Sequence, residues 1–426
     1  MIERERDKNG RVIFTKQMRK DFTILAPVMS PVHFGMIEKV FRNHGYNMKM
    51  LYTTNKEIID TGLQNVHNDT CYPALLVVGQ LIEAINSGEY DKEKVAVMIT
   101  QTGGGCRASN YIHLLRRALK RSGLDYIPVI SLNAIGMEKN PGFRLNLQLL
   151  AEMVYAVIYG DAFMLLSHQT RPYETVKGST DALVKKWTDK LNGNLKNFLR
   201  VKKNMVNIVK DFAAIPMERT DKIKVGIVGE IYVKFAPLGN NNLEKFLEEE
   251  DAEIVVPSLI DFLLYCCNHR IEDRQFYGLK TIKQVGSFFG EKILLNIENT
   301  MNKAVLKYSD FRPAGDFLRM KEGIHGYVSG GNKMGEGWLL TGEMLELIDS
   351  GISNIICTQP FGCLPNHIVG KGMIRRIRQD NPGANIVAID YDPSASKINQ
   401  ENRIKLMLSI ARENAEKNEK VGQDVV

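Results

Sequence analysis

The chain has 426 residues, enough for two or three domains. Its 44% hydrophobic and 25% charged content is that of a globular protein, and no apolar run reaches the roughly 20 residues that cross a bilayer, which argues against a membrane role. The net charge of +7 is a modest basic excess, and its densest run, MIRRIRQ at 373–379, reads as a solvated helix face, which argues against a nucleic-acid partner.

The first 20 residues are polar and start with MIERERDKNGR, which has no apolar core and so does not read as a secretory signal. DFTILAPVM (21–29) then reads as a buried strand, Ser30 to Gly45 as a helix, and YNMKMLY as a second strand. A helix from Cys71 to Asn86 is predicted, capped by Asp69 or Thr70 with Pro73 in its first turn. VAVMIT (95–100) is a strand followed by a triple-glycine turn, then a helix with Ile112, Leu115 and Leu119 on one face, then the strand YIPVISL. Strands and helices alternating at this length predict a parallel sheet covered on both faces.

Residues 141–220 carry mainly helical patterns. A second α/β unit opens at Lys222, with KVGIVGEIYV at 224–233, and NNNLEKFLEEEDAEIVVPS adds a helix and a strand. After mostly helical sequence at 260–322, alternation resumes with the strand SNIICT, a long helix from about Pro365 to Gln379 and the strand NIVAIDYD. The expected organisation is an N-terminal extension (1–20), an α/β domain (21–140), a helical segment (141–220), a second α/β domain with a helical insertion (221–400), and a C-terminal helix and tail (401–426).

Four of the six cysteines fall in Gly/Pro-rich turns at element ends: Cys71 in HNDTCYP, Cys106 in TGGGCRASNY, and Cys357 and Cys363 in CTQPFGCLPNH. Open parallel sheets bind ligands at the carboxyl ends of their strands, and helix N-termini there stabilise thiolates. In a cytoplasmic, reducing compartment such thiols point to metal or cluster ligation rather than disulfides. Gly103, Gly104 and Gly105 beside Cys106 would let backbone N–H groups approach a bulky inorganic ligand, and Pro360 and Gly362 shape the turn between Cys357 and Cys363. The alternative for any one of these cysteines is a small buried hydrophobe. Core packing is the better reading for Cys266 and Cys267 in LIDFLLYCCNHR.

Other chemistries fit less well. The C-x5-C spacing is not a zinc knuckle, and His67 and His367 near two of the cysteines read as hydrogen-bonding partners before ligands. KVGIVGEIY is not a dinucleotide fingerprint, and VSGGNKMGEGW (328–338) lacks the lysine-hydroxyl ending of a phosphate loop. No catalytic side chain stands out.

HNDTCYPALLVVGQ, TGGGCRASNY and CTQPFGCLPNHIVGKG together resemble the iron–sulfur proteins of the 2-hydroxyacyl-CoA dehydratase superfamily, in particular the branch of dehydratase-activase-related proteins; the superfamily also includes the double-cubane cluster proteins. The resemblance spans about residues 20–400. It implies two flavodoxin-like parallel-sheet domains with additional helical segments and a cluster site between them. It also implies electrons from a separate ATP-dependent activase. Cys71, Cys106 and Cys357 match, in order, three cysteines that hold a [4Fe–4S] cluster in the dehydratases, with Cys363 a fourth ligand or a neighbour. Three ligands would leave an iron open to an acyl-CoA or other small-molecule substrate; four would make an electron carrier. A double-cubane cluster would need all six cysteines, Cys266 and Cys267 included. A homodimer is compatible with this resemblance, as is a non-catalytic binding or scaffold protein that keeps the fold.

Overall fold

The computed structural model describes residues 4–67, 69–100, 105–132, 138 and 140–423, with side chains through 417. The chain divides into two compact units. Unit 1 comprises Met1–Val157, Lys190–Leu199 and Phe235–Gly239, and unit 2 comprises Ile158–Asp189, Arg200–Lys234 and Asn240–Val426.

Unit 1 is built on four parallel strands, β1 (Thr23–Pro27), β2 (Met48–Leu51), β3 (Val95–Thr100) and β4 (Val129–Leu132), in the order β2-β1-β3-β4. The all-apolar run of β3 is buried through Ile99, as a strand covered on both faces requires. The helix Tyr72–Asn86 precedes β3 and is buried along nearly its whole length, matching its largely apolar sequence. Its cap is Cys71 itself rather than Asp69 or Thr70: the Cys71 backbone is extended, and its carbonyl accepts the first helical bonds from Ala74 and Leu75. The helix Tyr111–Arg121 follows β3 and buries Ile112, Leu115 and Leu119 on one face.

Unit 2 repeats the arrangement with β5 (Ile223–Gly229), β6 (Ala252–Val255), β7 (Asn354–Pro360) and β8 (Asn385–Tyr391), all parallel, in the order β6-β5-β7-β8. The two sheets therefore share one topology, that of two flavodoxin-like parallel-sheet units. In each, the chain leaves the first strand toward one side and returns to the other, so a switch point lies between β1 and β3 and again between β5 and β7.

Within KVGIVGEIYV, β5 stops at Gly229, whose φ of +127° suits glycine, and Ile231–Phe235 is a short helix. A Cβ at Gly229 would stand 2.3 Å from the Thr358 carbonyl oxygen, so close pairing with β7 fixes this end. The stretch expected as one helix from Pro365 breaks into a π turn at Asn366–Gly370, a 3-10 turn at Lys371–Met373 and an α-helix at Ile374–Asp380, with Gly370 and Gly372 at the break. Finally, the helix Leu147–Thr170 does have the length and composition to cross a bilayer. In the structure 67% of its apolar window is buried inside the protein, and it carries the buried polar residues Glu152, Asp161 and His168.

Unit 2 also carries a helical hairpin, Leu259–Tyr277 and Lys283–Tyr308. Asp161 holds its base by accepting from the Leu259 and Ile260 amides at 2.7 and 2.8 Å, two of the N–H groups that a helix start leaves without partners.

Candidate metal centre

A helix that leads into a parallel strand begins at the carboxyl edge of the sheet. Cys71 therefore lies at that edge of unit 1, together with the segment that follows β3. Side-chain contacts bear this out: Cys71 Sγ is 3.2 Å from the hydroxyl of Tyr111, five residues after Cys106. Cys106 caps the short 3-10 helix Arg107–Asn110, and its Sγ accepts a bond from the Ala108 N–H at 3.2 Å. Cys71 is buried and Cys106 half-buried. The Cys106 sulfur thus faces a backbone donor, and Cys71 opens a 15-residue helix. Gly105 is exposed beside Cys106; Gly103 and Gly104 lie outside the described residues.

In unit 2 the two cysteines of CTQPFGC differ. Cys357 is not at the end of its strand. β7 continues to Pro360, because beyond Thr358 it has β8 alone beside it, where a proline is tolerated. Cys357 pairs with Val228 and Ala388 mid-strand and is fully buried, packed in an apolar cluster with Ile355, Met344 and Leu347. Burial pushes its thiol up to about 12, and its Sγ lies 3.6 Å from Asn366 Oδ1, a contact that suits a protonated S–H. Cys363 is three residues past the end of β7, at the switch point, 9% exposed and preceded by Gly362 at φ +72°. It occupies in unit 2 the position that Cys106 occupies in unit 1, just after the third strand in sequence. Pro360 and Gly362 frame that turn, with the Cys363 N–H donating to the Pro360 carbonyl.

His367 turns its Nδ1 to the Cys363 carbonyl at 2.9 Å and to Gln359 Nε2 at 2.6 Å, so its ring holds this loop. His67 is exposed and contacts Asp69. Cys266 and Cys267 are mid-helix, and burial pushes the Cys266 thiol up to about 12. Among the described residues, no three His, Cys, Asp or Glu side chains are grouped as ligands for a single metal ion.

Within unit 1, Cys71 and Cys106 lie at the carboxyl edge of the sheet, and within unit 2 Cys363 follows the end of β7, whereas Cys357 is fully buried mid-strand.

Sequence reasoning missed a set of buried charges at the end of β5. Glu230, the first residue past Gly229, accepts from the Val233 amide at 2.9 Å, and Glu336 accepts from the Ile231 amide at 2.9 Å. Lys234 on the same short helix donates to Glu343 at 2.7 Å, with both side chains at most 4% exposed. Burial and the neighbouring Glu336 push the Glu230 carboxyl up to about 8; burial likewise raises Glu336 and Glu343. A carboxyl that holds its proton at neutral pH beside a switch point can serve as an acid. The sequence signal was a charged residue directly after the strand VGIVG, where an apolar residue would have continued the core.

No protein-family model and no curated protein matches this chain.

Proposed function

We propose that this chain is an iron–sulfur protein of the 2-hydroxyacyl-CoA dehydratase type. It would receive low-potential electrons from a separate ATP-dependent activase and act in a reducing, cytoplasmic setting. The observation that carries this reading is the placement of Cys71, Cys106 and Cys363 at the carboxyl edges of two like-ordered parallel sheets. Cys71 and Cys106 of unit 1 and Cys363 of unit 2 are each proposed as ligands, and Cys357 is assigned to the core of unit 2. When bound, a [4Fe–4S] cluster supplies one-electron transfer at low potential. The Ala108 amide and the Tyr111 hydroxyl would direct hydrogen bonds at ligand sulfurs, which is how a protein tunes such a group. The buried carboxyl of Glu230 would hold a proton for reductive or dehydratase-type chemistry on a small molecule or acyl-CoA.

The test is anaerobic purification with iron and sulfide analysis and EPR. Cys71→Ala, Cys106→Ala and Cys363→Ala should each lose most of the iron, while Cys357→Ala should keep it. The isolated chain should not hydrolyse ATP, and cluster reduction should require activase, ATP and a reductant. A colourless parent protein free of iron and sulfide overturns the reading in favour of a binding or scaffold role.

A further inference from the structure

The hairpin helix Lys283–Tyr308 has two apolar faces but a covering for only one. Its inner face buries Leu294, Ile297, Met301 and Val305. Its outer face carries Ile282, at the N-cap, then Val285, Phe289 and Ile293, which are 88%, 56%, 60% and 58% exposed, and Leu279 continues the patch into the turn. A helix apolar on both faces is a buried helix, so this face lacks its partner.

We propose that the occupant is the same face of a second copy of this chain, packed antiparallel across a two-fold axis. Three observations favour a second copy. The stripe has the 3-4-4 spacing of a helix–helix seam. It is also nearly palindromic about Ser287: a two-fold axis there sets Ile282 against the copy's Ile293 and Val285 against its Phe289, the isologous match a symmetric dimer needs. The exposed apolar area fits as well. Five large side chains, each more than half exposed, offer roughly 500 Å² per copy, about the apolar part of the ~800 Å² that each partner of a standard interface buries.

Gly286 supports the same arrangement. Mid-helix glycine destabilises a helix, yet a Cβ at Gly286 would meet nothing within 4 Å. Among the described residues nothing would touch a side chain added there. Beside the seam and next to the axis, it lets a second backbone come close.

The experiment uses the purified full-length chain. Sedimentation or light scattering should give twice the 48.2 kDa chain mass at micromolar concentration, and Phe289→Glu should run as a monomer with unchanged circular dichroism. Gly286→Cys, oxidised gently, should yield a covalent dimer that the parent chain, treated alike, does not form, because the two added thiols flank the axis. A monomeric parent overturns the proposal. So does a dimer that survives Phe289→Glu, or one in which Gly286→Cys fails to cross-link, since association would then use another face. None of these outcomes depends on iron, so failure here is distinguishable from failure of the proposed function.

Discussion

The most direct test of the buried charges in unit 2 is Glu230→Gln. The Glu230 carboxyl is 8% exposed and pushed up to about 8, first by burial and then by Glu336. In the unfolded chain a glutamate titrates near 4.3. Between those values the folded chain holds a proton that the unfolded chain has released. The stability this contributes is complete below about pH 4.5 and is lost as pH rises through about 8, at about 1.4 kcal/mol per pH unit. From pH 5.5 to 7.5 that is roughly 3 kcal/mol from this one group. Glutamine is neutral at every pH and keeps an oxygen to accept the Val233 N–H, so the variant should lose this slope while holding its fold. Glu298, also pushed up to about 8, keeps a slope of the same sign in both proteins, so the informative quantity is the difference between them.

Urea unfolding at pH 5.5, 6.5 and 7.5 measures that difference. Both tryptophans, Trp187 and Trp338, are buried in unit 2, so intrinsic fluorescence follows the unit that contains Glu230. The expected result is near-equal stability at pH 5.5 and a variant that is more stable by roughly 3 kcal/mol at pH 7.5. Parallel pH dependences in the two proteins would refute the reasoning, because Glu230 would then be ionised in the folded state.

Two further substitutions probe packing. Cys357→Ala removes the sulfur from a fully buried strand position and should cost unit 2 about 1–3 kcal/mol in the same fluorescence assay; Cys363→Ala, at the sheet edge, should cost much less. Gly79→Ala puts a methyl 2.2 Å from the Ile58 carbonyl oxygen, where Glu57–Asn65 packs against Tyr72–Asn86. It should cost about 1–3 kcal/mol, read as faster amide hydrogen exchange in Tyr72–Asn86, and unchanged exchange there would show that the two helices are not packed this closely.

The two sheets were legible because each strand is a short, mainly apolar run bounded by turn residues, and β3 matches VAVMIT residue for residue. The strand ends were harder to read, and the assignment of the cysteines depended on them. Whether Cys357 or Cys363 is the thiol at the edge of β7 rests on three residues, Thr358, Gln359 and Pro360. A proline there reads as a stop, yet beside β8 alone it can remain in the strand. Likewise GEIYV continues the pattern of β5, and only the contact of Gly229 with the Thr358 carbonyl ends the strand in time for Glu230 to stand at its mouth. The buried charges escaped sequence reading for another reason. Glu230 and Lys234 lie over a hundred residues from Glu336 and Glu343, and apart from Glu230, directly after VGIVG, each alone reads as an ordinary surface residue. Local pattern sets the elements, whereas the chemistry at their edges depends on long-range strand pairing. That is why the cysteines of the two units, so alike in their motifs, have such different surroundings in the fold.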